Sequence, residues 1–294
     1  MSFTTGRSLP QTDPPRSPRE TLPTMYDLPS EFPEEPGLPD EFHDLQPQLL
    51  SRTLSLADYS RDHWFTGSDL NVYFDVHNPL RHKRPDWFLA VGVPRLYDGH
   101  DLRRSYVVWQ EGQPPAVVVE FLSPNTERVD LGRFYKESDQ IPDDSPPMQA
   151  RAEGQIPEKF EVYERYLRVP HYIVYSRYTR RLRYFKLIGS LYQEQPLQEQ
   201  NPLIWLDDLN IGLGLWSGEF EGATNLWLRW CDQNGQWLLT DTEQAQQQAE
   251  SERRVAESER RVAESERQAR QQAQEQAERL AERLRELGID PDEV

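Results

Sequence analysis

Two acids sit where a chain of this kind can least tolerate them: Asp86 opens the apolar run PDWFLAV, and Glu120 lies inside the run AVVVEFL. A carboxylate withdrawn from water among Val and Phe costs several kcal/mol unless something pairs it. A fold that carries both runs as strands must therefore bring a cation to them. A divalent metal is the commonest reason for two strands to aim acids at one point. A strand-end salt bridge to an Arg is the plainer alternative for Glu120, and Pro-Asp is also ordinary turn chemistry for Asp86.

The rest of the chain bounds the setting of this pair. With 294 residues there is room for one sizeable core plus appendages, and a hydrophobic fraction of 36% places part of the chain outside that core. No apolar run approaches the roughly 20 residues that cross a bilayer, and the N-terminus lacks an apolar signal segment. Cys231 is the single cysteine, which excludes an internal disulfide and a Cys-based zinc site. A soluble cytoplasmic protein with no membrane partner is expected. The net charge of -17 argues at first against nucleic acid, because phosphate binding is driven by Lys and Arg. Its distribution changes that reading: residues 1–50 hold 3 basic against 9 acidic side chains, residues 241–294 hold 9 against 15, and residues 51–240 hold 21 against 26. Within the middle the positive charge is clustered, in Arg81, Lys83 and Arg84 before Asp86, in Arg103 and Arg104, and in Arg177, Arg180, Arg181, Arg183 and Lys186. Such patches can hold phosphate on an acidic protein; they can equally be solvated strand edges that discourage aggregation.

Residues 1–44 read as a Pro-rich arm that cannot bury enough apolar surface to offset its ordering entropy, with nine prolines before residue 41. A core spans 45–200. A short helix, interrupted by Pro47, is expected between Leu45 and Tyr59. Strands are expected over Leu70–Val76, Asp86–Val91, Tyr106–Trp109 and Ala116–Leu122. Residues 137–157, rich in Pro, Asp, Gln and Ser, read as an inserted loop. Phe160, Tyr163 and Leu167 fall at helical spacing within Glu158–Arg168, closed by Pro170, and strands follow at His171–Ser176, Leu182–Leu187 and Ser190–Glu194. Helix, strands, helix, strands is the order of a mixed α/β domain. Residues 201–240 hold five of the eight tryptophans among scattered glycines and read as an aromatic β appendage over the core edge. Residues 241–288 lack Gly and Pro as far as Leu287 and repeat RRVAESE in register at 253–259 and 260–266. That is a long charged helix whose Val/Ser seam supports at most weak self-association. Residues 289–294 form a tail.

The strings PDWFLAV, VVVEFLSPNTERVD and KFEVYERYLRVPHYIVYS together resemble the Uma-two family, a PD-(D/E)XK, restriction-endonuclease-like group. The resemblance runs from about Leu45 to Tyr192. It implies a mixed sheet flanked by helices and a metal-dependent phosphodiesterase site with Mg²⁺ or Mn²⁺ as cofactor. Asp86 matches the family's Pro-Asp acid, and Glu120 the Glu of its second strand. The commonest superfamily pattern places a Lys two residues after that Glu, where this chain has Leu122. The family takes its Lys from the next helix instead, one turn from a Tyr, and Lys159 with Tyr163 satisfies that. Lys136 is the competitor. Asp130 matches a recurrent family acid, although a helix N-cap would explain it as well. Asp69 and Asp75 are candidates for a further ligand.

Two carboxylates can hold Mg²⁺, which takes oxygen ligands and retains waters; the ion activates water and polarises a phosphate, and a nearby Lys stabilises developing charge. The expected function is hydrolysis of DNA phosphodiester bonds by a Mg²⁺-dependent endonuclease. The alternative is a nuclease-like core without catalysis whose helical tail serves assembly.

Overall fold

The computed structural model describes residues 13–14, 40–123, 126–136 and 157–286. Most of the expected arm, the expected loop as far as residue 156 and the tail at 289–294 lie outside them. The chain divides into two units, Met1–Leu238 and Leu239–Val294.

The first unit opens on α1 (Glu41–Thr53), which starts ahead of the expected Leu45 because Asp40 caps it, its side chain accepting from the His43 N–H at 3.0 Å. Pro47 lies inside this helix without ending it. One backbone hydrogen bond is forfeited there, but Phe42, Leu49 and Leu50 are fully or almost fully buried, and tertiary packing of that face holds the helix.

Strands β1 (Trp64–Gly67), β4 (Trp87–Val91), β6 (Val117–Phe121), β7 (His171–Ser176), β8 (Arg181–Ile188) and β9 (Leu191–Gln195) form one sheet in the order β1-β4-β6-β7-β8-β9. β6 and β7 run parallel and the other neighbours antiparallel. Every position of β6 is buried, as a strand covered on both faces requires. Side chains alternate between the faces. Val117, Val119 and Phe121 share one apolar cluster with Trp87, Leu89, Ile173 and Tyr175; Val118 and Leu122 share the other with Phe88, Ala90, Tyr172 and Val174. Glu120, between Val119 and Phe121, therefore faces the second layer, and so does Asp86, two residues before Phe88.

The first layer is closed by α1 and by an antiparallel sheet of β10 (Leu203–Leu206), β11 (Ile211–Phe220) and β12 (Ala223–Cys231). The Trp-rich segment thus covers a face of the main sheet rather than its edge. Trp227 stacks on Phe42 with ring centroids 5.5 Å apart, and Trp230 lies 5.8 Å from Trp87. Gln46 completes the seam by pairing with the β12 backbone, donating to the Leu228 carbonyl at 2.9 Å and accepting from its N–H at 2.8 Å. The glycines here serve packing: a Cβ on Gly212 would stand 2.6 Å from the Cys231 sulfur.

The second layer holds a small sheet of β3 (His82–Lys83), β2 (Val72–Tyr73) and β5 (Tyr106–Val107). Two expected strands shrink to these short pieces. Val76 is exposed, so the apolar pattern of LNVYFDV has nothing to cover at its far end. After Val107 the chain turns into α2 (Val108–Glu111), closed by Gly112 at φ 76° with its N–H on the Val108 carbonyl. The layer is completed by α3 (Glu127–Leu131) and by α4 (Lys159–Glu161), which continues as a π-turn over Val162–Tyr166.

In the second unit α5 (Asp241–Glu286) is a 46-residue helix with no buried residue. It begins with a capping box: Thr240 Oγ1 accepts from the Glu243 N–H at 3.2 Å while Glu243 Oε2 accepts from the Thr240 N–H at 2.7 Å. Among the described residues no helix is long and apolar enough to cross a membrane.

Candidate active site

Antiparallel pairing of β4 with β6 sets Trp87 opposite Val119, which brings Asp86 level with Glu120. Each acid is tied to the backbone of the other's strand. The Asp86 N–H donates to Glu120 Oε2 at 3.3 Å, and the Phe121 N–H donates to Asp86 Oδ2 at 2.6 Å. Onto this pair the α4 segment lowers two donors one turn apart. Lys159 Nζ donates to Glu120 Oε2 at 2.9 Å and Tyr163 Oη donates to Oε1 at 2.6 Å. Both carboxylate oxygens of the fully buried Glu120 are thereby held. The π-turn closes with the Leu167 N–H on the Val162 carbonyl at 2.9 Å, a local widening that often accompanies functional positions.

Asp130, on α3, is buried with Oδ1 3.8 Å from Lys159 Nζ. Tyr172, behind it, donates to the Asp130 carbonyl at 2.7 Å. Asp69 stands at the rim: its N–H bonds the Pro85 carbonyl, and its carboxylate is 3.5 Å from Arg84. Asp75 is not brought here. Its carboxylate organises a turn, accepting from the His77 and Asn78 N–H groups, the Asn78 side chain and Arg81. Lys136 is exposed and makes no ion pair among the described residues, whereas Lys159 meets two of the acids.

The electrostatics follow from three crowded acids, Glu120 and Asp130 buried and Asp86 partly so. Burial, reinforced by Glu120, holds the Asp86 carboxyl well above its ordinary range, against the pull of Lys159 and His43. For Lys159, burial works against the charge, but Glu120, Asp130 and Asp86 outweigh it and raise its pKa. Burial and the Glu120 charge likewise push the Tyr163 phenol upward. Burial raises Asp69 too, with Arg84 and Lys159 opposing and Glu120 assisting.

One participant escaped the sequence reading. His43, on the first turn of α1, lies with Nε2 3.2 Å from the Phe121 carbonyl and Nδ1 2.8 Å from Asp40 Oδ1. Burial lowers its pKa, but the Asp40 hydrogen bond and the charges of Asp86 and Asp40 dominate and raise it to about 9. Arg177, leaving β7, pairs with the other Asp40 oxygen. The detectable signal was Asp-x-x-His at a helix start, which lay inside the 1–44 segment read as an arm, although residues 41–44 form the first turn of α1.

Among the described residues no three acids or histidines form a ready-made metal cage. The donor set still fits a hard divalent cation. Mg²⁺ needs only one or two carboxylates because it keeps several waters, and the upward push on Asp86 from Glu120 is the like-charge repulsion that a cation between them would relieve.

A mixed sheet that delivers an Asp, a Glu and a helix-borne Lys to one layer defines a restriction-endonuclease-like protein. The Uma2 family model, described as "Putative restriction endonuclease", matches residues 18–216, and the chain belongs to that family. No curated protein and no solved structure matches it.

Proposed function

We propose that this protein is a divalent-metal-dependent endonuclease that hydrolyses phosphodiester bonds in DNA, with Asp86 and Glu120 as metal ligands and Lys159 as the third catalytic group. The observation that carries the reading is the 2.9 Å contact of Lys159 with Glu120 across a separation of 39 residues: a helix restores the lysine that Leu122 denies to the strand. Restriction-endonuclease-like proteins generally use divalent metals, and Mg²⁺ or Mn²⁺ suits an all-oxygen site.

A bound ion would neutralise phosphate charge and acidify a coordinated water. The chain's own groups divide the remaining work. Tyr163 fixes the Glu120 carboxylate by holding Oε1, leaving its orientation no freedom. Lys159, its pKa raised by three acids, stays charged at neutral pH, so it acts as a donor that stabilises negative charge on the phosphoryl group rather than as a base. Asp130 keeps that ammonium within reach of the site. His43, also charged at neutral pH, balances Asp86 from the opposite side without giving up a proton.

The test is incubation of purified full-length protein with plasmid DNA in Mg²⁺ or Mn²⁺, beside Glu120→Ala. Metal-dependent nicking lost in the variant supports the reading. Metal binding without cleavage of any DNA would replace it with the nuclease-like assembly protein, a role compatible with a Glu120 already satisfied by Lys159 and Tyr163.

A further inference from the structure

The strand register gathers arginines at the end of the main sheet that carries the acid pair. β4 begins at that end, so Arg84, which precedes Asp86, lies there with its side chain half exposed. β7 runs parallel to β6, with Phe121 opposite Tyr175, and therefore finishes beside Glu120. The hairpin that follows, Arg177 to Arg180, returns into β8 with Ser176 opposite Arg181. Arg180 and Arg181 are exposed. Among the described residues Arg180 has no hydrogen bond or ion pair, whereas Arg183, on β8, is buried and held by Glu194 at 2.7 Å. Both exposed arginines line a cleft of about 690 Å³ with Arg183, Gln195 and two carboxylates, Glu194, which is held by Arg183, and Glu199.

Arg180 is also an odd choice for its position. Its φ is 55°, the left-handed region where Gly or Asn sits comfortably in a hairpin and a long side chain does not. Interstrand spacing near 4.8 Å puts the start of β8 about 14 Å from the start of β4, three steps across the sheet.

We propose that Arg180 and Arg181 on one side and Arg84 on the other form a phosphate-binding row that straddles the acid pair, gripping the DNA backbone on both sides of the bond to be cut. The proposal rests on the nuclease reading of the site. Its chemistry is sequence-independent: guanidinium groups take phosphate oxygens, release counterions and fix the strand, while the acids and Lys159 meet the phosphate in the middle. These arginines are positioning residues and do not touch the reacting atoms.

The test is fluorescence anisotropy of a labelled mixed-sequence DNA duplex with full-length protein in EDTA, where no cleavage intervenes, titrated across a range of salt. Arg180→Gly is expected to lower the magnitude of the slope of log K against log salt by about 0.9, one phosphate contact, while raising Tm because the turn is relieved of strain. Arg180→Lys is expected to keep the slope. Arg180→Glu with Arg181→Gln should lower the slope by about 1.8, two contacts, and raise KM for cleavage more than it lowers kcat. A wild-type slope in both Arg180→Gly and the double variant, in a protein that still cuts DNA, overturns the row and leaves the nuclease reading intact. Failure of the wild-type protein to bind or cut DNA overturns both.

Discussion

Glu120 receives one hydrogen bond from Lys159 and another from Tyr163, and only the first donor brings a charge. Lys159→Ala should therefore abolish cleavage yet preserve metal binding, measured by calorimetric titration of Mn²⁺, while Lys136→Ala should leave cleavage unchanged. The opposite pattern would transfer the role to Lys136. Glu120→Gln should eliminate the metal-dependent rise in Tm. It should leave the metal-free Tm close to wild type, because the substitution removes one of three crowded acids and relieves Asp86 as it deprives Lys159 of a partner. A large loss of metal-free stability would mean that Glu120 serves chiefly as the anchor of Lys159. At this scale Asp86 and Glu120 were legible in the sequence because an acid inside an apolar run breaks its pattern. Asp130 was not decisively legible, since an N-cap accounts for an Asp in such a place equally well.

At the scale of elements, α1 is fastened to the site by charge. Asp40 is held near pKa 2: burial raises it, but the His43 hydrogen bond, the His43 charge and Arg177 prevail. His43 is held near 9. The acid, with its folded pKa below the ordinary 3.8, contributes stability present above that pH and lost as pH falls toward 2. The imidazole, with its folded pKa above 6.5, contributes stability fully present below pH 6.5 and lost as pH rises through about 9. Thermal denaturation should accordingly show a loss on the order of 2–3 kcal/mol between pH 6.5 and pH values above 9, and His43→Gln should flatten that alkaline limb. An unchanged limb in the variant would assign it to other groups. Strands β4, β6 and β7 were readable because burial on both faces demands unbroken apolar runs. The small sheet was misjudged for the converse reason: β2 and β5 are two residues each, too short for periodicity to register, and their ends are set by tertiary contacts such as the Tyr106 hydroxyl on the Gln113 carbonyl at 2.7 Å. The start of α1 was missed because its buried face is completed by β12, whose Leu228 lies 182 residues from Gln46.

For the molecule as a whole, α5 carries charged side chains in i,i+4 pairs, such as Arg254 with Glu250 at 2.5 Å and Arg261 with Glu257 at 3.0 Å, and its repeated Val255 and Val262 are exposed. Each such pair adds about 0.2–0.5 kcal/mol to the helix. Truncation after Thr240 should keep the first unit folded and any nuclease activity unchanged while reducing the helical circular-dichroism signal, with light scattering reporting any loss of oligomer mass. A folded truncated chain that no longer cuts would show that the tail is either catalytic or needed to pair two active sites. The way the acid site is assembled has a further consequence, for the time course of synthesis and folding. Its contacts join positions 34, 39 and 43 residues apart, and β6 must pair with a parallel strand that emerges much later. Contacts of long sequence separation form only after the loop-closure entropy has been met. A nascent or half-folded chain consequently lacks the meeting of Asp86, Glu120 and Lys159, which comes into being only with the finished fold.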